Sequence, residues 1–166
     1  MEASRRGQAD SRDREALCGY PGHELFKYLD DDGQPRTVDS GDVNAYIKDI
    51  TGEDFSAKDF RTWAGTVLAA LALAEFKKYD SQAEAKRNVV AAIESVSKQL
   101  GNTPAICRKC YVHPEVLNAY MSGDLVKMIE TKIAQKFKRQ YAKLTSDEIV
   151  VLAFLRKRLD TLKAPA

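Results

Sequence analysis

Apolar residues return at three- and four-residue spacing in one segment after another, and this period commits most of the chain to helices. Val43, Tyr46, Ile47 and Ile50 form one such stripe, with Ser40 as its expected cap and Gly52 as its stop. Ser56 and Asp59 have the spacing of a capping box and open a helix with apolar positions at Phe60, Trp63, Val67, Leu68 and Leu71. The alanine-rich part of that helix, Trp63 to Phe76, is expected to be the most buried of the fold. Residues 82–100 predict another helix, with Val89, Val90, Ile93, Val96 and Leu100 on one side. After Pro114, Leu117, Tyr120 and Met121 keep the helical spacing until Gly123, and Leu125 to about Tyr141 makes a basic amphipathic stretch. Ser146, with Asp147 and Glu148, caps a last helix bearing Ile149, Leu152, Leu155, Leu159 and Leu162. The exception comes early, where Glu24 to Leu29 and Arg36 to Val38 flank an Asp-Gly turn and predict a small β-hairpin. The fold class is therefore mainly α with a short N-terminal hairpin.

One interruption in the helices stands out, Gln99-Leu100-Gly101-Asn102-Thr103-Pro104 followed by Ala105-Ile106-Cys107-Arg108-Lys109-Cys110-Tyr111-Val112-His113-Pro114. Gly101 can take the left-handed conformation past a helix end, and Thr103 and Pro104 read as the cap and first residue of a new short helix. Pro114 ends that helix and leaves Tyr111, with Arg108 and Lys109 beside it, at a break between helices, where function often resides. Upstream, Arg61 projects from the first turns of its helix near Gly65, which leaves room for a close approach. A helix N-terminus favours anions, and the guanidinium fork matches the geometry of phosphate.

These two stretches resemble the active-site motifs of bacterial, poxvirus-like type IB DNA topoisomerases. In that family a His or Asn follows a glycine and the tyrosine nucleophile comes nine positions later, as Asn102 and Tyr111 do here. Lys58-Asp59-Phe60-Arg61-Thr62-Trp63 resembles the family's KD(L/F)RT(W/Y) helix start with its catalytic arginine. The resemblance covers roughly residues 20–160. It implies a helical catalytic core, Tyr111 as nucleophile, Arg61 and Asn102 as hydrogen-bond donors to the phosphate oxygens, and Lys58, Arg108 and Lys109 as DNA contacts. It further implies a 3′-phosphotyrosyl intermediate on double-stranded DNA, relaxation of supercoils and religation, with neither ATP nor metal, by a monomer in the cytoplasm at the nucleoid.

The family also uses an earlier arginine and a general-acid lysine on a hairpin, and no counterpart of either is found in this sequence. Nor is the family's N-terminal domain. The expectation is accordingly a C-terminal portion of a catalytic domain over residues 20–166, preceded by a polar segment, 1–19, without packed structure. Two other readings compete with it. A tyrosine recombinase or integrase fragment shares the arginine-bearing helix and the nine-residue spacing, although recombinases usually carry histidine at the positions of Lys58 and Asn102. A helical DNA-binding module without catalysis would keep the shape and lose the chemistry.

Charge and cysteine content fit the main reading. Residues 82–166 carry 15 Lys and Arg against 8 Asp and Glu, and residues 1–81 carry 11 against 16, so the basic balance lies with Tyr111 and suits a polyanion. No run of about 18 apolar residues suggests a membrane span. Cys107 and Cys110 form a C-x-x-C, but a structural zinc needs four ligands and Cys18, His23 and His113 have no recognisable spacing, so both read as packing residues and no metal is expected. His113 reads as structural or a phosphate contact. Tyr20, Tyr28, Tyr46, Tyr79, Tyr120 and Tyr141 lack the flanking pattern of Tyr111 and read as structural.

Overall fold

The computed structural model describes residues 26–76, 79–130 and 143–163, so the expected segment 1–19 lies outside the described residues. The chain divides after Ala57 into two compact units. The described residues are mostly helical, with one two-stranded hairpin.

The first unit opens with β1 (Lys27–Leu29) and β2 (Pro35–Thr37), paired antiparallel with Tyr28 opposite Arg36. Asp30 organises the turn, where its Oδ1 accepts from Gln34 N at 2.8 Å and its Oδ2 meets Arg36 Nε at 2.8 Å. Gly33 supplies the positive φ of +73° that the turn requires. Helix α1 (Ser40–Thr51) follows, but its cap is Asp39 and not the expected Ser40. Asp39 is extended, its carboxylate accepts from Asp42 N at 3.0 Å, and the Asp42 carboxylate accepts in return from Asp39 N at 2.9 Å. A carboxylate accepts both amides more strongly than a hydroxyl would, and this moves the helix start by one residue. Gly52 closes α1 in the left-handed conformation, as expected. By itself this unit buries none of the stripe Val43, Tyr46, Ile47 and Ile50.

The second unit is built on two long helices, α2 (Ala57–Glu75) and α3 (Gln82–Leu100). Each buries six residues, and all six of those on α2 fall between Gly65 and Leu73, inside the alanine-rich stretch. Small residues explain the choice of face on α2, since Thr66, Ala69 and Ala70 admit close neighbours and Leu73 fills the remaining space. Phe60, expected inward, is 56% exposed, and Trp63, Leu68 and Leu71 pack only at the core's edge. On α3, Val89, Ile93 and Val96 are buried, whereas Val90 is 51% exposed because Ala92 completes the inward face.

Thr103 caps α4 (Pro104–Ile106), its Oγ1 accepting from Ile106 N at 3.3 Å. The short helix expected there does not continue as an α-helix. Cys107–Tyr111 wind as a wider π-turn, and Val112 then runs extended into α5 (Pro114–Met121). Helix α6 (Asp124–Glu130) covers the described part of the expected stretch from Leu125 to Tyr141, and the rest lies outside the described residues. Helix α7 (Ser146–Lys163) is capped by Thr145 and not by Ser146. Thr145 Oγ1 accepts from Glu148 N at 3.3 Å, and the Glu148 carboxylate accepts from Thr145 N at 2.8 Å, a reciprocal box that needs Glu at the third position. Ile149 and Leu155 are buried, Leu152 is half-buried and Leu159 is 37% exposed; Val151 and Phe154 provide the rest of the inward face. The Leu162 side chain lies outside the described residues.

Polar links among the described residues tie α7 into this core. Trp63 Nε1 donates to Glu148 Oε1 at 3.0 Å, and Arg158 Nε pairs with Glu115 Oε2 at 2.9 Å. Both carboxyls lie below the usual glutamate range, Glu115 chiefly through the Arg158 hydrogen bond and Glu148 chiefly through the Thr145 amide. Tyr120 is fully buried with its hydroxyl accepting from Asn88 Nδ2 at 2.8 Å, and the Tyr79 ring packs against it tilted by 53°, with 5.4 Å between ring centroids. Tyr28 and Tyr46 are exposed, and Tyr20 and Tyr141 lie outside the described residues. No described helix is long and apolar enough to cross a membrane.

Candidate active site

The end of α3 explains why Arg61 and Asn102 meet. The last carbonyls of a helix lack intrahelical donors and carry the negative end of its dipole. Gly101 N and Asn102 N both turn back to Ser97 O, which leaves the Leu100 carbonyl open to side chains. Arg61 Nη2 donates to it at 2.7 Å and Asn102 Nδ2 at 2.8 Å. The Arg61 guanidinium also lies over the Tyr111 ring, with Cζ 5.1 Å from the centroid. That distance is within cation–π range. The structure thus brings Arg61 and Asn102 onto one carbonyl and Arg61 onto the Tyr111 ring, although the three residues are 50 residues apart in sequence at the extremes.

The backbone of Tyr111 is pressed onto α2 at Gly65. A Cβ on Gly65 would stand 2.6 Å from Tyr111 O and 3.1 Å from Tyr111 Cβ. The close approach expected at Gly65 is therefore made by the tyrosine main chain. Two threonines flank the contact. Thr62 Oγ1 lies 2.9 Å from Lys58 O and 3.3 Å from Cys110 O, and Thr66 Oγ1 lies 2.7 Å from Thr62 O, 3.4 Å from Tyr111 O and 3.1 Å from the donating His113 N. Neither threonine was singled out from the sequence. Their four-residue spacing on either side of Gly65 is the signal that could have found them, because it puts two hydroxyls on the same face as the missing side chain.

Lys58, Arg108 and Lys109 are exposed, Lys58 in the first turn of α2 and the other two on the π-turn. His113 serves as the cap of α5, its Nδ1 accepting from Glu115 N at 3.2 Å. Cys107 and Cys110 are free thiols. Cys107 is fully buried and burial pushes its thiol up, opposed by the nearby Arg61 guanidinium; Cys110 is half-buried.

Comparison with known proteins places this chain in a family. Residues 16–144 match the family described as "Eukaryotic DNA topoisomerase I, catalytic core". The chain is 33% identical over 114 residues to a protein of Acanthamoeba polyphaga mimivirus named "DNA topoisomerase 1B", a match covering 64% of this chain and 34% of that protein. The chain thus spans about a third of the length of that relative. A family match over more than three quarters of the sequence, taking in Arg61, Asn102 and Tyr111, shows that the chain belongs to the DNA topoisomerase I catalytic-core family, the type IB topoisomerases.

Proposed function

We propose that this chain is the C-terminal part, residues 20–166, of a type IB topoisomerase catalytic domain of the bacterial, poxvirus-like kind, and that Tyr111 is its nucleophile toward double-stranded DNA. The observation that carries the reading is that Arg61 and Asn102 meet at the Leu100 carbonyl, with bonds of 2.7 and 2.8 Å, while the same Arg61 guanidinium lies 5.1 Å from the Tyr111 ring centroid. The Tyr111 phenol oxygen attacks phosphorus, the bond to the 5′ oxygen breaks, and the protein is left joined to the 3′ phosphate. The 5′ oxygen takes up a proton and the phenol gives one up. Because one phosphoester replaces another, the free 5′ end can reverse the step after rotation, without ATP or a metal ion.

Arg61 and Asn102 supply donors where negative charge grows on the non-bridging oxygens. Both already point at an oxygen, the Leu100 carbonyl, which a phosphate would replace in the complex. Exposed Lys58, Arg108 and Lys109 add attraction for the DNA backbone, which makes binding salt-sensitive. The family's lysine acid and earlier arginine have no counterpart in this sequence. Each such group typically contributes roughly 10² or more in rate, so the 166-residue chain by itself cleaves ordinary DNA barely or not at all.

A substrate that needs no acid separates the nucleophile from that deficit. In a duplex with sulfur in place of the scissile 5′ oxygen, the leaving group departs as a thiolate and takes no proton. The chain should form a denaturant-resistant adduct with this duplex, abolished by Tyr111→Phe and slowed about 10²-fold by Arg61→Lys, which keeps the charge and loses the fork. No adduct with the sulfur duplex, or an adduct that survives Tyr111→Phe, refutes the assignment. Salt-sensitive binding without any adduct would instead favour a non-catalytic DNA-binding module.

A further inference from the structure

The geometry points to Thr66 as a positioning residue that fixes the tyrosine turn against α2, an inference that rests on Tyr111 being the nucleophile. A π-turn ends at Tyr111 and the chain then leaves extended through Val112 toward Pro114, which has no N–H. This exit leaves the polar backbone groups around half-buried Tyr111 and His113 without helical partners at the edge of the core, where unpaired groups are costly. Thr66 is 2% exposed and its hydroxyl stands among them. It accepts from His113 N at 3.1 Å, and its single proton is directed at Thr62 O at 2.7 Å, with Tyr111 O at 3.4 Å as the alternative.

Back-bonding from a threonine to the carbonyl four residues earlier is common in helices and by itself means little. What sets Thr66 apart is the second bond, taken from a residue 47 positions away, two residues beyond the nucleophile. One residue before it, Gly65 lets Tyr111 O approach to 2.6 Å of where a Cβ would sit. One turn earlier, Thr62 reaches Cys110 O at 3.3 Å. The main chain around Tyr111 is therefore bonded at His113 and in close contact at Tyr111 O with one face of the helix that carries Arg61, and Thr62, whose nearer acceptor is Lys58 O at 2.9 Å, offers Cys110 O an alternative bond. Nucleophile and arginine share one rigid mount, so their separation does not depend on the flexibility of the turn. A misplacement of about 1 Å at a reacting atom can cost 10²-fold in rate.

The test uses the full chain with Thr66→Val, which keeps the shape and removes the hydroxyl, and Thr66→Ser, which returns it; Thr66→Ala carries the same test should the valine variant not fold. Two quantities are read: amide hydrogen exchange at His113, and the single-turnover rate of adduct formation with the sulfur duplex alongside its binding affinity. In Thr66→Val, exchange at His113 should be about tenfold faster while amides of α3 keep their protection, and adduct formation should fall about 10²-fold with affinity unchanged. Thr66→Ser should restore both. Unchanged His113 exchange, an unchanged adduct rate, or a serine variant no better than valine overturns the inference. Failure of the nucleophile reading shows separately, as no adduct from the unsubstituted chain or one that survives Tyr111→Phe, and it removes the catalytic role of Thr66 with it.

Discussion

Replacing Gly65 with alanine sets two opposing free energies against each other. Glycine inside a helix is unfavourable relative to alanine by roughly 0.5–1 kcal/mol, so propensity alone predicts a more stable protein. The new Cβ, however, would lie 2.6 Å from Tyr111 O, 3.1 Å from Tyr111 Cβ and 3.2 Å from Leu100 Cδ1. The nearest of these is a backbone carbonyl in a turn bonded to Thr66 through His113 N, not the free end of a flexible side chain. Overpacking of this kind costs about 1–3 kcal/mol. The clash wins, with a net loss of about 1–2 kcal/mol and a fall in Tm of about 2–8 °C for a chain of this size. Thermal unfolding followed by far-UV circular dichroism and by Trp63 fluorescence measures it. Ala64→Gly, at the exposed neighbouring position, reads the propensity contribution in the same helix and should cost roughly 0.5–1 kcal/mol. A Gly65→Ala protein with an unchanged or higher Tm would refute the argument, because it would show that the tyrosine turn is free to move away from α2.

Further outcomes follow from the core's polar links and its thiols. Trp63 is the single tryptophan of the chain and donates to Glu148, so its emission should report the protonation of that carboxyl. The folded pKa of Glu148 lies below the unfolded value of about 4.3, so its stabilisation is present above that pH and is lost as pH falls through the folded value. An emission change with a midpoint below about 4.3, absent in Glu148→Gln, is expected; a midpoint above it would contradict the structure. Cys107, fully buried and pushed up by desolvation, should react with a thiol reagent far more slowly than half-buried Cys110, and equal labelling rates in the folded protein would show that the tyrosine turn opens.

Much of this fold is legible in residue spacing because helix signals are local. Gly52 and Gly101 end their helices in the left-handed conformation, Thr103 caps with Pro104 behind it, and the Asp-Gly turn makes its hairpin. The misplaced caps, Ser40 for Asp39 and Ser146 for Thr145, are one-residue shifts decided by which neighbour completes a reciprocal pair with an acidic residue three positions on. Phe60 and Val90 show the limit of periodicity. An apolar stripe says that a face can be buried, while the fit of small residues such as Ala69, Ala70 and Ala92 against their neighbours decides which face is.

The proposed site residues divide in the same way. Arg61, Asn102 and Tyr111 were readable because side-chain chemistry at fixed spacing leaves a linear trace in the sequence. The Leu100 carbonyl that gathers two of them left none, since every residue has a carbonyl and only the end of α3 leaves this one open. Thr62 and Thr66 look like ordinary helical threonines until the tyrosine turn arrives from nearly fifty residues away to use their hydroxyls. The sequence by itself determined the helices, their breaks and the residue types of the site, because these depend on neighbours within one or two turns. Only the tertiary structure decided what holds Tyr111 in place, because backbone groups acquire partners through long-range packing that no local pattern encodes.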